Sequence, residues 1–134
     1  MEIRLMNKND LEQVRALIYK SFGRKCQKSY KNTQSTFTVV ASADDEVCGV
    51  ATIYVHNNDL IDEKDYFVSN LCVEPTYQRM GVATKIIEFI EEKGKKDNIK
   101  HIYTLVPQKY EETNKLYMKL NYDLKNINCF RKGL

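Results

Sequence analysis

Asn70-Leu71-Cys72-Val73-Glu74-Pro75-Thr76-Tyr77-Gln78-Arg79-Met80-Gly81-Val82-Ala83-Thr84-Lys85-Ile86-Ile87 is the stretch whose reading decides the fold. It starts as the end of a strand, passes through a tight connection and becomes a helix. Pro75 has no N–H for a ladder and holds Glu74 extended, so the strand stops there. Gly81 falls where the helix opens, and a position without a side chain lets a ligand approach the backbone closely. The first amides of a helix have no internal partners and sit at the positive end of its dipole. Ahead of a long amphipathic helix they form an anion site, and Arg79 and Lys85 add positive charge. The chemistry this suggests is phosphate or pyrophosphate binding.

Working outward, Tyr66 to Val73 reads as the strand that feeds this junction. The helix is predicted over 79–96, with Val82, Ile86, Phe89 and Ile90 on its buried face. Glu91 with Lys95 and Glu92 with Lys96 make supportive pairs, and Asp97-Asn98 ends the helix. Lys100 to Val106 is the next strand, closed by Pro107, so strand, helix and strand predict a right-handed parallel crossover. Glu111 to Leu120 reads as a short helix with Thr113 and Tyr117 on one line. Asn121 suits the left-handed conformation that ends it. Tyr122–Leu124 and Ile127–Arg131 predict a closing pair of short strands.

Toward the N-terminus, Glu2–Met6 alternates as a first strand. Asn9 with Glu12 has the spacing of a capping box for a helix carrying Val14, Leu17, Ile18 and Phe22, with Gly23 as its stop. Residues 24–35 are polar and basic, a short helix or a loop. Thr36–Ala41 and Val47–Val55 form a hairpin around Ala43–Glu46, with Gly49 a candidate bulge. His56 to Asp65 is polar and acidic (Asp59, Asp62, Glu63, Asp65), read as a loop, with a rim that attracts a cationic amine as the functional alternative.

The chain has 134 residues, 43% of them hydrophobic and 29% charged, which fits one domain over 1–134 with a real core. A net charge of +3 without a basic stripe interleaved with aromatics argues against nucleic acid. Arg24, Lys25, Lys28 and Lys31 form the one basic cluster outside the central helix, suited to an acidic ligand group or simply solvated. No apolar run has the length of a membrane span, so no membrane partner is expected. Cys26, Cys48, Cys72 and Cys129 are scattered; Cys48, Cys72 and Cys129 read as buried thiols, and a reducing cytoplasm fits. His56 and His101 have no carboxylate at ligand spacing, so no metal is expected.

Gln78-x-x-Gly81-x-Ala83, between its strand and its helix, resembles the acyl-CoA pyrophosphate loop of the GNAT N-acetyltransferases. It is not the three-glycine dinucleotide fingerprint. Asn114-Lys115-Leu116-Tyr117-Met118-Lys119-Leu120-Asn121-Tyr122 resembles the second signature of that family, one strand beyond the central helix as the family orders it. The resemblance runs from about Ile3 to Phe130 and is specific over Val68–Ile90 and Leu116–Tyr122. It implies a single-domain α/β fold of GNAT type, a mixed, mostly antiparallel sheet flanked by helices. It also implies acetyl transfer from acetyl-CoA, the acetyl donor, to a primary amine of a small molecule or peptide by direct attack. Acetyl-CoA would lie between strands 66–73 and 101–106. The main chain of Leu71, Cys72 and Val73 would pair with the pantetheine. The amides of Arg79, Met80, Gly81, Val82, Ala83 and Thr84 would hold the pyrophosphate, with Gln78 at the entrance. Asn114 would face the cofactor, and Tyr117 matches the tyrosine that protonates the leaving thiolate in many members.

The chain also departs from the pattern. Ser69 and Asn70 stand where members often carry a carboxylate base, leaving a water, a loop carboxylate such as Glu63, or a neutral incoming amine. Gln78 replaces the usual first arginine of the loop, Tyr110 an asparagine and Asn121 a glycine. Cys72 has no adjacent histidine and is read as a strand residue, not a nucleophile. Two rivals stay open: a non-catalytic CoA-binding or regulatory module, and a plain nucleotide- or phosphate-binding domain. Exposed sheet edges leave a homodimer open as well.

Overall fold

The computed structural model describes residues 1–24, 32–58 and 60–134. Lys25, Cys26, Lys28, Lys31 and Asp59 lie outside the described residues, and with them most of the basic cluster. Alternating apolar residues build five strands: β1 (Glu2–Leu5), β2 (Thr36–Ala43), β3 (Glu46–Asn58), β4 (Glu63–Val73) and β5 (His101–Thr104). Three helices accompany them: α1 (Leu11–Phe22), α2 (Val82–Lys96) and α3 (Glu111–Lys119). The sheet order is β1-β2-β3-β4-β5, antiparallel except for the parallel pair β4–β5. This is the mixed, mostly antiparallel sheet that the resemblance implies.

Each face of the sheet has its own core, because strand side chains alternate. α2 lays Val82, Ile86, Ile87 and Ile90 on Phe37, Val39, Ile53, Tyr66 and Val68. α1 lays Val14, Leu17 and Ile18 on Val40, Val50 and Cys72. Gly49 is what lets α2 come so close. A Cβ there would stand 2.9 Å from both Ile86 Cδ1 and Val82 Cγ1. The chain also bulges beside it, leaving Cys48 without an opposite residue on β2.

Several expectations need correction. The capping box sits two residues earlier than the spacing suggests. The Asn7 side chain accepts from the Asn9 amide, and Asp10 reaches back to the Asn7 amide, on a 3-10 turn over Lys8–Asp10 that precedes α1. Residues 56–58 and 63–65 are not loop but paired strand, from His56↔Asp65 to Asn58↔Glu63. Their polarity says only that both faces meet water; the ladder itself satisfies the backbone. On α2, Ile87 is fully buried and Phe89 only half-buried. Lys95 pairs with Glu92 and Lys93 with Asp97, while Glu91 accepts from Tyr122. β5 ends at Thr104 rather than Val106. Residues 122–134 form no strand: the four-residue β5 is a short template, and Leu124 and Phe130 are 81% and 91% exposed. Cys129 is exposed too, whereas Cys48 and Cys72 are buried. Gly23 and Asn121 end α1 and the α3 turn in left-handed conformation, as read.

Arg4 grips Asp10 with both terminal nitrogens, at 2.6 and 2.9 Å, and ties β1 to the start of α1. These bonds hold the Asp10 carboxyl below the usual carboxylate range, against the opposing effect of burial. A depressed folded pKa means the contribution is complete above the unfolded value and is lost as pH falls through the folded one. Asp10→Asn is therefore expected to lower stability at pH 7 by roughly 1–3 kcal/mol. In urea titrations the gap to wild type should narrow only below about pH 4.

Candidate active site

The site is built where β4 stops behaving as a regular strand. Val50 stands opposite Cys72 and Thr52 opposite Ser69, so Asn70 and Leu71 together face Ala51. This is a β-bulge, and Asn70 takes φ 53°, a backbone region that Asn tolerates better than most residues. The extra residue reverses the alternation. Before it, Tyr66 and Val68 point into the α2 core; after it, Leu71 and Val73 do. Ser69 and Cys72 take the α1 side.

β4 also loses its neighbour here. Pairing with β5 ends at Val68↔Thr104, and the Thr104 hydroxyl donates to Val68 O at 2.8 Å. β4 runs on through residues 69–73 with β3 alone beside it. The main chain of Leu71, Cys72 and Val73 thus lies along an edge from which β5 has departed.

The connection to α2 is held by its own bonds. The Glu74 amide donates to Cys48 O, Pro75–Tyr77 makes a 3-10 turn, and Gln78 Nε2 donates to Val73 O at 3.2 Å. Lys20 of α1 pairs with Glu74 from the other side. Arg79 and Gly81 both have positive φ, 65° and 78°. The first helical bond runs from the Lys85 amide to Gly81 O, and no side chain caps the helix. Among the described residues, the amides of Arg79, Met80, Gly81, Val82, Ala83 and Thr84 make no hydrogen bond. Left-handed followed by helical backbone, as at Gly81-Val82, turns successive N–H groups into a concave anion-binding nest. A side chain at Gly81 would enter open space but would be strained by its φ.

Asn114 and Tyr117 come from α3. The Asn114 Nδ2 donates to Pro107 O at 3.1 Å and to Tyr110 O at 2.8 Å, bracing the β5–α3 connection. Its Oδ1 is left over. Tyr117 is buried in the α2-side core, its ring edge-on to Tyr122 at 5.1 Å. Its hydroxyl is buried and makes no hydrogen bond among the described residues. Burial pushes its pKa up to about 12, while the Thr104 hydroxyl, outside hydrogen-bonding geometry, pulls the other way. The phenol therefore keeps its proton at neutral pH. Tyr122 is raised too, by burial first and then by the Glu91 carboxylate it bonds.

Glu63, offered by the sequence as a base, lies six residues up β4 from Ser69, about 20 Å along the strand. It is too remote to serve a group beside the bulge. The sheet brings it instead to Asp65 and His101, with ligand atoms within 4.8 Å of one another, a cluster that spacing along the chain could not reveal. A depression of about 600 Å³ lies elsewhere, at the C-terminal end of α2 among Phe37, Tyr66, Lys93 and Asp97, and shares none of the site residues above.

The chain is thus an α/β protein whose parallel β4–β5 pair ends beside a helix start that no side chain caps. The model of the Acetyltransferase (GNAT) family matches residues 8–122, and the chain belongs to that family. Its fold is shared with an aminoglycoside acetyltransferase, meta-AAC0020, from an uncultured soil metagenomic sample (TM-score 0.86, 17% identity, 99% of this chain and 95% of that one). It is also shared with the ribosomal-protein-alanine N-acetyltransferase of Brucella melitensis biovar Abortus 2308 (0.83, 14%, 98% and 98%). A third is AAC(6')-Iy, solved with a CoA-containing bisubstrate analog (0.81, 17%, 99% and 98%). Comparison with curated proteins gives no match. Family and fold together support an acetyltransferase. No helix among the described residues is long and apolar enough to cross a membrane.

A buried hydroxyl without a partner is destabilising. Tyr117→Phe is expected to leave the thermal midpoint unchanged or to raise it, the ring packing being retained. A fall of several degrees would mean that the hydroxyl has a structural partner.

Proposed function

We propose that residues 1–134 form one N-acetyltransferase domain that moves an acetyl group from acetyl-CoA to a primary amine of a small molecule or peptide. The observation that carries this reading is that the end of the β4–β5 ladder and the uncapped start of α2 lie side by side on the chain. The stretch of β4 at Leu71–Val73, past the end of the β4–β5 ladder, would take the pantetheine as an added strand. The unpaired amides from Arg79 to Thr84, with Gln78 at the entrance, would take the pyrophosphate. Asn114, whose Nδ2 is spent on Pro107 O and Tyr110 O, would turn its Oδ1 to the cofactor.

The amine nitrogen attacks the thioester carbonyl carbon, and the C–S bond breaks. A backbone N–H near Val73 polarises the carbonyl. Tyr117 gives its proton to the departing thiolate, and the tyrosinate left behind regains one from solvent. The proton lost by the amine passes to water, since neither Ser69 nor Asn70 is a base. That same lack favours a second reading, a non-catalytic CoA-binding module, which turnover of any amine would exclude.

Acetyl-CoA is expected to raise the thermal midpoint of the wild type, as a ligand of the folded state must. Gly81→Glu, which puts a carboxylate before the amides, is expected to abolish the rise. Tyr117→Phe is expected to lower kcat by roughly 100-fold with little change in KM for acetyl-CoA. A well-folded wild type indifferent to acetyl-CoA, or a Tyr117→Phe enzyme at full kcat, would sink this reading.

A further inference from the structure

On the α1 side of the sheet, the reading above leaves a whole strip of side chains unused. Tyr54, Phe67 and Tyr103 stand in register across β3, β4 and β5. Their neighbours Ile53, Tyr66 and Val68 lie in the α2 core, so these three point the other way. α1 covers Val40, Val50 and Cys72 but stops short of this row. Tyr54 is 48% and Tyr103 43% exposed, and the rings of Phe67 and Tyr103 meet edge to face at 5.6 Å.

One row nearer the bulge stand Thr38, Thr52 and Ser69. Thr52 is buried, and its hydroxyl has no partner among the described residues. One row further out stand His56, Asp65 and His101, with Glu63 next along β4 on the same face. The His101 amide donates to Asp65 Oδ1 at 3.1 Å and fixes that carboxylate. Outward from the bulge, β4 therefore presents Ser69, Phe67, Asp65 and Glu63 on one side: a hydroxyl, an aromatic ring and two carboxylates.

Aromatic faces and carboxylates in line attract the same kind of group. Rings hold a cation or a methylene stem through their π faces, and the carboxylates hold an ammonium through charge. We propose that this strip binds the acceptor, and that the acceptor is an elongated amine carrying a second positive charge. This rests on the acetyl-transfer reading, which puts the reacting nitrogen beside the bulge. The second charge would lie about 10–13 Å away, from the four residue steps that separate Ser69 from Asp65 at ~3.3 Å each, less the reach of the carboxylate. The unpartnered Thr52 hydroxyl lies on the same side, in the row beside the reacting end.

The test compares kcat/KM for linear diamines of increasing length with that for monoamines of matched length. Wild type is expected to favour the diamine by roughly tenfold once its nitrogens span that distance. Asp65→Asn with Glu63→Gln should bring the ratio toward one, and Tyr103→Leu should reduce it by roughly threefold. A ratio near one in wild type, or one unchanged in the double variant, overturns the proposal. Calorimetry on the protein alone gives a readout that needs no turnover. A diamine that binds wild type and not the double variant supports the strip even if no amine is acetylated, in which case it is the acetyl-transfer reading that fails. Equal binding of diamine and monoamine overturns the strip. A preference that disappears with a chelator would mean that a metal ion at Glu63, Asp65 and His101 mediates it, which overturns direct recognition of the amine.

Discussion

The parting of β4 from β5 is the constraint on which the rest of the site depends. Two parallel strands would normally satisfy each other's backbone groups along their whole length. Here the bulge at Asn70 bends β4 and strengthens its twist, while β5 stops at Thr104 with its hydroxyl already spent on Val68 O. Beyond Val68 the ladder between β4 and the outermost strand of the sheet is over. Under the proposed function, the cofactor would pair with β4 along this stretch, where β5 no longer does.

The opening is held in place by bonds that are not part of it. Gly49 lets the first turns of α2 rest directly on β3, so the helix start cannot drift from the end of β4. At the other end of α2, the Tyr66 hydroxyl donates to Asp97 at 2.7 Å and Lys93 pairs with the same carboxylate at 2.9 Å. Lys20 and the Cys48 carbonyl fix Glu74 between them. The amides from Arg79 to Thr84 are thus carried on a braced frame, so the pyrophosphate proposed for them would order little that is new.

Tyr117 brings stability and chemistry into conflict. Its ring contributes to the larger core, and a phenylalanine would fill that role without stranding a hydroxyl. Among the described residues that hydroxyl has no partner, and under the proposed function its partner would be the leaving thiolate. Burial raises the phenol's pKa to about 12, beyond what is needed to keep it protonated at neutral pH, so the buried setting weakens Tyr117 as an acid rather than creating one.

The sequence by itself determined the order of the elements, the parallel crossover around α2, the left-handed stops at Gly23 and Asn121, and the two motifs. These are local matters: a proline that cannot donate, a residue that tolerates positive φ, a period of 3.6 or of 2. It misjudged the partner of Glu91, the cap of α1, the paired arm at 56–65 and the unpaired chain after Tyr122. The cap was a choice between two nearby asparagines, Asn7 and Asn9; in the others the outcome turns on which distant backbone or side chain is within reach, and spacing along the chain does not contain that. Only the tertiary structure decided that β4 bulges at Asn70, that Tyr117 is buried without a partner, and that Glu63, Asp65 and His101 meet at one end of an aromatic row. The physical reason is register. Which residues of separate strands share a face is set by how the strands align, and one extra residue in β4 exchanges the two faces for everything that follows.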